Sequence, residues 1–213
     1  MSHAFPDDLL ARAPVLPVLV IDDPAQAVPL ARTLVGAGLP VLEVTLRSPA
    51  ALEAIRRIAA EVPGAVVGAG TVLDAGQLDA VARAGAAFAI SPGMTPALWA
   101  AAESHPLPFL PGVATAGELM QGLERGFRRF KLFPASSLGG PAVLRAWSGP
   151  FPQARFCPTG GIDAGSAPAW LALPNVLTVG GSWMAPASRV GMGDWDAIAA
   201  LARAAAGLRQ SHA

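Results

Sequence analysis

Fourteen of the fifteen basic residues in this 213-residue chain are arginine, and the single lysine is Lys131. A coding bias toward arginine accounts for the fourteen but not for the lysine that remains. Arginine cannot give up its proton in a protein, whereas a buried lysine can serve as a neutral amine nucleophile. Lys131 sits in the apolar run Phe130-Lys131-Leu132-Phe133. Glu43 is similarly placed, within Val41-Leu42-Glu43-Val44-Thr45-Leu46-Arg47. A carboxylate in such a run is costly unless it is paired or functional. Strand alternation puts Val41, Glu43, Thr45 and Arg47 on one face. Brought together, an amine and a carboxylate of this kind suit carbonyl chemistry. The amine condenses with a ketone, the imine accepts the electrons of the adjacent carbon–carbon bond, and the carboxylate moves the protons. An arginine would hold an anionic end of the substrate. Two blander readings stand beside this one: a structural ion pair between Glu43 and Arg47, and a lysine that snorkels to the rim.

Two further clusters point to an anion. Thr159-Gly160-Gly161 and Gly180-Gly181-Ser182 each join a glycine pair to a hydroxyl residue. Glycine pairs are usually only tight turns, but exposed backbone N–H groups at such turns form an anion-binding nest.

Composition narrows the class. Fifteen acidic residues balance the fifteen basic ones. Without a basic surplus, neither nucleic acid nor an anionic membrane is an expected partner. Charged residues are only 14% and hydrophobic ones 53%, which excludes a disordered chain and predicts a large core. One cysteine, Cys157, leaves no internal disulfide, and it reads best as a small buried hydrophobe. His3, His105 and His212 lack ligand-like spacing, so no metal centre is expected. The N-terminus is acidic where a secretory leader would be basic, and no stretch is long enough for a membrane helix. The expectation is a cytoplasmic protein.

Eight short apolar segments recur at 14–22, 39–47, 65–72, 88–93, 108–113, 129–135, 156–162 and 177–183. Near-continuous Val, Leu, Ile and Phe runs suit strands of a parallel sheet covered on both faces. Helical signals lie between them. Ser48-Pro49 offers an N-cap and first-turn proline before a stripe of Leu52, Ile55, Ala59 and Val62. Thr95-Pro96 repeats that signal, Asp74 can cap a helix over 75–84, and Thr115 with Glu118 forms a capping box. The last helix is expected over 194–208. Eight strand–helix units predict an α/β fold, a single (β/α)8 TIM barrel over 1–213 with a short N-terminal extension. An open doubly wound sheet is the alternative, weakened by the lack of GxGxxG after the first strand. In a barrel, the strand ends carrying Lys131, Glu43 and both glycine pairs would meet at one mouth.

The chain resembles the class I 2-keto-3-deoxy-6-phosphogluconate (KDPG) aldolase family, whose bacterial members often also cleave 4-hydroxy-2-oxoglutarate (KHG). LEVTLR (42–47), VGAGTV (67–72), FAISPG (88–93), FKLFPA (130–135), RFCPTGGI (155–162) and VGGSWM (179–184) carry the resemblance. It implies that Lys131 forms a covalent imine, with no other cofactor and no metal, and that Glu43 is the general acid/base. Arg47, Thr71 and Pro92 would line the pyruvate end, with Arg47 on the carboxylate. Thr159, Gly160, Gly161 and Ser182 would hold the phosphate end. The products would be pyruvate and glyceraldehyde 3-phosphate, in the Entner–Doudoroff pathway, from an enzyme that is a homotrimer.

The loop after the lysine strand departs from the family pattern. It reads Pro134-Ala135-Ser136 where a carboxylate is common, and Arg129 stands where an acidic residue is common. The rival readings are the aldolase for the galactonate-derived epimer, a non-enzymatic sugar-phosphate-binding barrel, and an isomerase using Glu43 without covalent chemistry. Thr159-Gly160-Gly161-Ile162 and Val20 favour the gluconate type over its epimer.

Overall fold

The computed structural model describes residues 5–208; His3 and His212 lie outside that range. Nine strands form among the described residues. They are β1 Val15–Leu19, β2 Val41–Thr45, β3 Val66–Gly70, β4 Ala89–Ile90, β5 Phe109–Leu110, β6 Gly112–Val113, β7 Arg129–Leu132, β8 Arg155–Pro158 and β9 Val179–Gly181. Each of the eight apolar segments contributes, and every strand pairing is parallel.

The pairings make a curled sheet in two sections, ordered β5-β4-β3-β2-β1-β9 and β6-β7-β8. An uninterrupted ladder of eight strands, the expectation from the sequence, is not what the strands form. The fifth segment is divided at Pro111, which has no N–H to give a ladder. Beyond the break, Gly112 donates instead to the Ser91 hydroxyl at 3.1 Å. At the second seam β8 and β9 meet through two isolated bridges, Phe156 with Val176 and Thr159 with Gly180. Pro158 lacks a donor there as well, and Gly180 and Gly181 bring no side chains to pack across the gap.

Ten helices lie among the described residues. They are α1 Asp7–Ala11, α2 Ala27–Gly36, α3 Ala51–Glu61, α4 Ala75–Arg83, α5 Pro96–Ser104, α6 Ala116–Glu124, α7 Pro141–Trp147, α8 Ala167–Leu171, α9 Ala187–Met192 and α10 Trp195–Ala206. Three caps form as the sequence predicts. Asp74 accepts from Gln77 N, Thr95 accepts from Leu98 N, and Thr115 and Glu118 close a capping box. Pro29 falls in the first turn of α2, where its missing N–H has no intrahelical partner to lose.

The Ser48-Pro49 cap does not form. The helix starts at Ala51 without a side-chain cap, and Ser48 Oγ donates to Ile21 O at 2.5 Å, tying the loop to the end of β1. The buried stripe is Ala51, Ala54, Ile55, Ile58 and Val62, and Leu52 and Ala59 are exposed. Both stripes contain Ile55 and Val62. The two alanines decide between them, because small residues let the helix sit close against the sheet.

Strand residues alternate between two apolar layers. Val15, Leu42, Val44, Phe130, Leu132 and Phe156 face the helices. Leu16, Val41, Phe88, Leu110 and Cys157 face the other way, where Phe5, Leu9 and Leu10 cover them. Phe5 meets Phe88 edge to face at 5.4 Å. This alternation puts Glu43 and Lys131 on the inner face.

Candidate active site

Lys131 Nζ donates to Glu43 Oε1 at 2.9 Å. Both side chains are buried, Lys131 at 4% exposure and Glu43 at 0%. The partner of Glu43 is therefore Lys131 rather than Arg47, and Lys131 does not snorkel. β2 and β7 belong to different sheet sections, so this ion pair spans the sections. Two opposite charges out of water need excellent geometry to offset their desolvation. The second carboxylate oxygen, Glu43 Oε2, is buried with no hydrogen-bond partner among the described residues.

Room for this carboxylate comes from Gly70, the register partner of Thr45 on β3. A Cβ at Gly70 would lie 2.1 Å from Glu43 Oε1, so any side chain displaces the carboxylate. Gly70→Ala is expected to slow turnover by roughly tenfold or more, since a misplacement near 1 Å is that costly. Steady-state kinetics beside an unchanged far-ultraviolet circular dichroism spectrum check this.

Lys131 opens onto a cavity of about 340 Å3. Arg47, Thr71 and Pro92 line it, as do Thr159, Gly160, Gly161 and Ser182. Every residue expected to act in catalysis or substrate binding thus lines the cavity except Glu43, which contacts Lys131 behind it. Arg47 donates through Nε to Thr45 Oγ1 at 3.1 Å and has no acidic partner among the described residues. Thr71 is the one non-glycine described residue with positive φ, at 60°. A β-branched residue there is strained, and such strain persists only where the surroundings impose it.

At the opposite wall Gly160 and Gly161 have φ of 104° and 73°, which L side chains rarely adopt. Ser136 fixes this loop by donating through Oγ to Gly161 O at 2.8 Å and through N to Gly160 O at 3.0 Å. A Cβ at Gly161 would lie 2.8 Å from Ser136 Cβ. The short residue at 136 packs where a longer one would need a different course. Gly180 must also lack a side chain, because its Cβ would lie 2.2 Å from Thr159 Oγ1.

The sequence reading missed Val18, Phe133 and Ile162, counted Gly180 and Gly181 with Ser182 in an anion nest, and placed Thr45 on the right face without a role; all of them line the cavity. Phe133 lies two residues beyond Lys131, so alternation carried a signal for it. Its ring centroid is 5.5 Å from Lys131 Nζ, a cation–π distance. Val18 and Ile162 gave no signal, since apolar strand-end residues look alike whether they face a ligand or a core.

Cys157 is the register partner of Lys131 and is buried. Burial pushes its thiol from 9.0 up to about 12, helped by the Glu43 carboxylate; Lys131, Thr159 and Gly180 act the other way. At pH 8 the thiolate fraction is then about one in 10⁴, and only the thiolate is a nucleophile. The folded protein is expected to resist thiol-specific reagents at pH 8 and to react fully in denaturant, as a spectrophotometric thiol titration would register. Because the folded value is raised, the neutral thiol contributes stability fully below the unfolded value of 9.0. That contribution is lost as pH rises from there toward 12.

Among the described residues no group of three His, Cys, Asp or Glu side chains is arranged to hold a metal ion, and no helix is long and apolar enough to cross a membrane.

The family model for KDPG and KHG aldolase matches residues 7–201. The KHG/KDPG aldolase of Escherichia coli K12 is 51% identical over 199 residues, covering 93% of each chain. Among solved structures, the KDPG aldolase of Legionella pneumophila, with pyruvate captured as a covalent carbinolamine, superposes with TM-score 0.92 at 46% identity. That match covers 94% of this chain and 97% of the other. The Zymomonas mobilis enzyme with 3-phosphoglycerate gives TM-score 0.90 at 51% identity, over 95% of both chains. With a family model across most of its length and relatives at half identity, the chain belongs to the KDPG and KHG aldolase family.

Proposed function

We propose that this enzyme cleaves 2-keto-3-deoxy-6-phosphogluconate to pyruvate and glyceraldehyde 3-phosphate through an imine on Lys131. The same site would split 4-hydroxy-2-oxoglutarate to pyruvate and glyoxylate. The observation that carries this reading is the buried contact of Lys131 Nζ with Glu43 Oε1 at 2.9 Å, opening onto the cavity.

The steps follow from the atoms present. Lys131 passes a proton to Glu43 and its neutral amine attacks C2 of the keto acid. Glu43 gives that proton to the carbinolamine hydroxyl, which leaves as water, so an iminium and the Glu43 carboxylate result. Glu43 then accepts the proton of the C4 hydroxyl, the C3–C4 bond breaks, and its electron pair moves into the iminium to give an enamine. The aldehyde leaves. Glu43 returns the proton to C3, and water releases pyruvate from Lys131. Glu43 Oε2, buried and without a hydrogen-bond partner among the described residues, is an acceptor suited to a substrate hydroxyl. Arg47 holds the pyruvate carboxylate, with Thr71 and Pro92 beside it. The phosphate lies on the backbone N–H groups of Gly160 and Gly161, with Thr159 and Ser182 as hydroxyl partners. The imine is itself the electron sink, so the reaction takes no metal and no other cofactor.

The reading extends to the whole molecule. The two sheet sections act as one (β/α)8 barrel spanning the chain, supported by the bridges at one seam and by the Lys131 N–H donating to Pro111 O at the other. The enzyme works in the cytoplasm as a homotrimer; Val20 and Leu73, exposed in the loops after β1 and β3, supply apolar surface for assembly.

Borohydride reduction with pyruvate, followed by peptide mass spectrometry, tests the chemistry. A pyruvate-dependent adduct on Lys131 is the expected result. A folded protein with Lys131 unmodified would overturn the reading, because the only competing amine is the N-terminus.

A further inference from the structure

Thr45 is the last residue of β2 and is 2% exposed. Its hydroxyl donates to Leu19 O at 2.9 Å, at the end of the neighbouring strand β1. The same oxygen accepts from Arg47 Nε at 3.1 Å. A threonine hydroxyl has one proton, and here Leu19 takes it. Thr45 lines the cavity but has no donor left to offer a ligand. One of its two lone pairs is taken by the guanidinium.

This arrangement decides how Arg47 faces the cavity. Arginine has a long, flexible side chain, and fixing such a chain costs entropy at the moment of binding unless it is already held. Thr45 holds it from two residues away on the same strand face, and the adjacent strand holds Thr45. With Nε engaged, the side-on edge of the guanidinium is occupied. The edge between Nη1 and Nη2 makes no hydrogen bond among the described residues, and it matches the two oxygens of a carboxylate in parallel N–H···O bonds.

We infer that Thr45 is a positioning residue that presents the Nη1–Nη2 edge of Arg47 for end-on capture of the 2-keto acid carboxylate. This rests on the aldolase reading above, and on the carboxylate role of Arg47 in particular. The residue acts before chemistry and touches no reacting atom.

The test uses the full-length enzyme with Thr45→Val, which keeps shape and removes the hydroxyl, beside Thr45→Ser and Arg47→Ala. Two quantities are read: KM against kcat for cleavage, and the pyruvate concentration that gives half-maximal borohydride trapping on Lys131. Thr45→Val is expected to raise KM and the trapping midpoint together by roughly tenfold, the scale of one hydrogen bond to a charged group. Turnover at saturation stays within about twofold, since only the capture of substrate is impaired. Thr45→Ser restores both quantities, and Thr45→Val adds little when Arg47 is already alanine, as expected for residues acting through one another. Thr45→Cys, with a poor acceptor in place of the hydroxyl, substitutes should the valine variant fail to fold. An unchanged trapping midpoint in Thr45→Val, where Arg47→Ala raises it, overturns the inference and leaves Thr45 as a tie between strands. An unchanged midpoint in Arg47→Ala instead removes the carboxylate role of Arg47 itself. Absence of trapping in the unaltered enzyme removes the aldolase reading.

Discussion

Lys131→Arg is expected to lower kcat for aldol cleavage by at least about 10⁴-fold and to abolish borohydride trapping, with the fold intact. The charge and most of the length survive this substitution, so the Glu43 partner and the packing against Phe133 are largely kept. What disappears is an amine able to lose its proton, without which no imine forms. A barrel that only binds a sugar phosphate would tolerate arginine here, and an isomerase using Glu43 alone would retain substantial turnover. Either outcome would displace the imine mechanism. The measurement is unusually direct, because a pyruvate-dependent adduct in the unaltered protein has one lysine on which to fall.

Glu43→Gln separates imine formation from proton transfer. The amide oxygen can still accept from Lys131 Nζ, but an amide does not take up and return a proton. Cleavage is expected to slow by roughly 10²–10⁴-fold, the usual contribution of a positioned acid/base. Pyruvate should still be trapped on Lys131 at equilibrium, though the imine forms more slowly because water must take the Lys131 proton in place of Glu43. Exchange of the pyruvate methyl protons in deuterated water should fall together with cleavage, because both need the same shuttle at C3. Unchanged rates of cleavage and exchange would remove Glu43 from the mechanism and leave it a counter-ion.

Much of this site was readable from residue type and spacing. Lys131 and Glu43 were conspicuous because ionisable groups in apolar strands need a reason, and a two-residue period fixed which neighbours shared their face. The glycine pairs were legible because a nest needs backbone without side chains. The reading failed where the deciding interaction was not local. Ser48 looks like a cap but bonds to Ile21, 27 positions earlier in the chain, and helix α3 buries Ala51 and Ala54 rather than Leu52 and Ala59. Pro111 was visible, yet its effect on the sheet depends on which N–H the neighbouring strand would have needed. Gly70 carried no local mark at all, because its necessity is set by the Glu43 carboxylate reaching across from the adjacent strand.

The division of the sheet has a consequence for how activity can be lost. Lys131, the proposed nucleophile, belongs to the three-stranded section, while Glu43, Arg47 and Ser182 belong to the six-stranded section or the loops that leave it. Neither section alone is a catalyst. A shift of a fraction of an ångström along the Pro111 seam or the Thr159–Gly180 seam would draw amine and carboxylate apart while the hydrophobic layers on both faces stayed intact. The protein therefore has a route to being silent while still folded. Damaging substitutions remote from the cavity should cluster along those two lines.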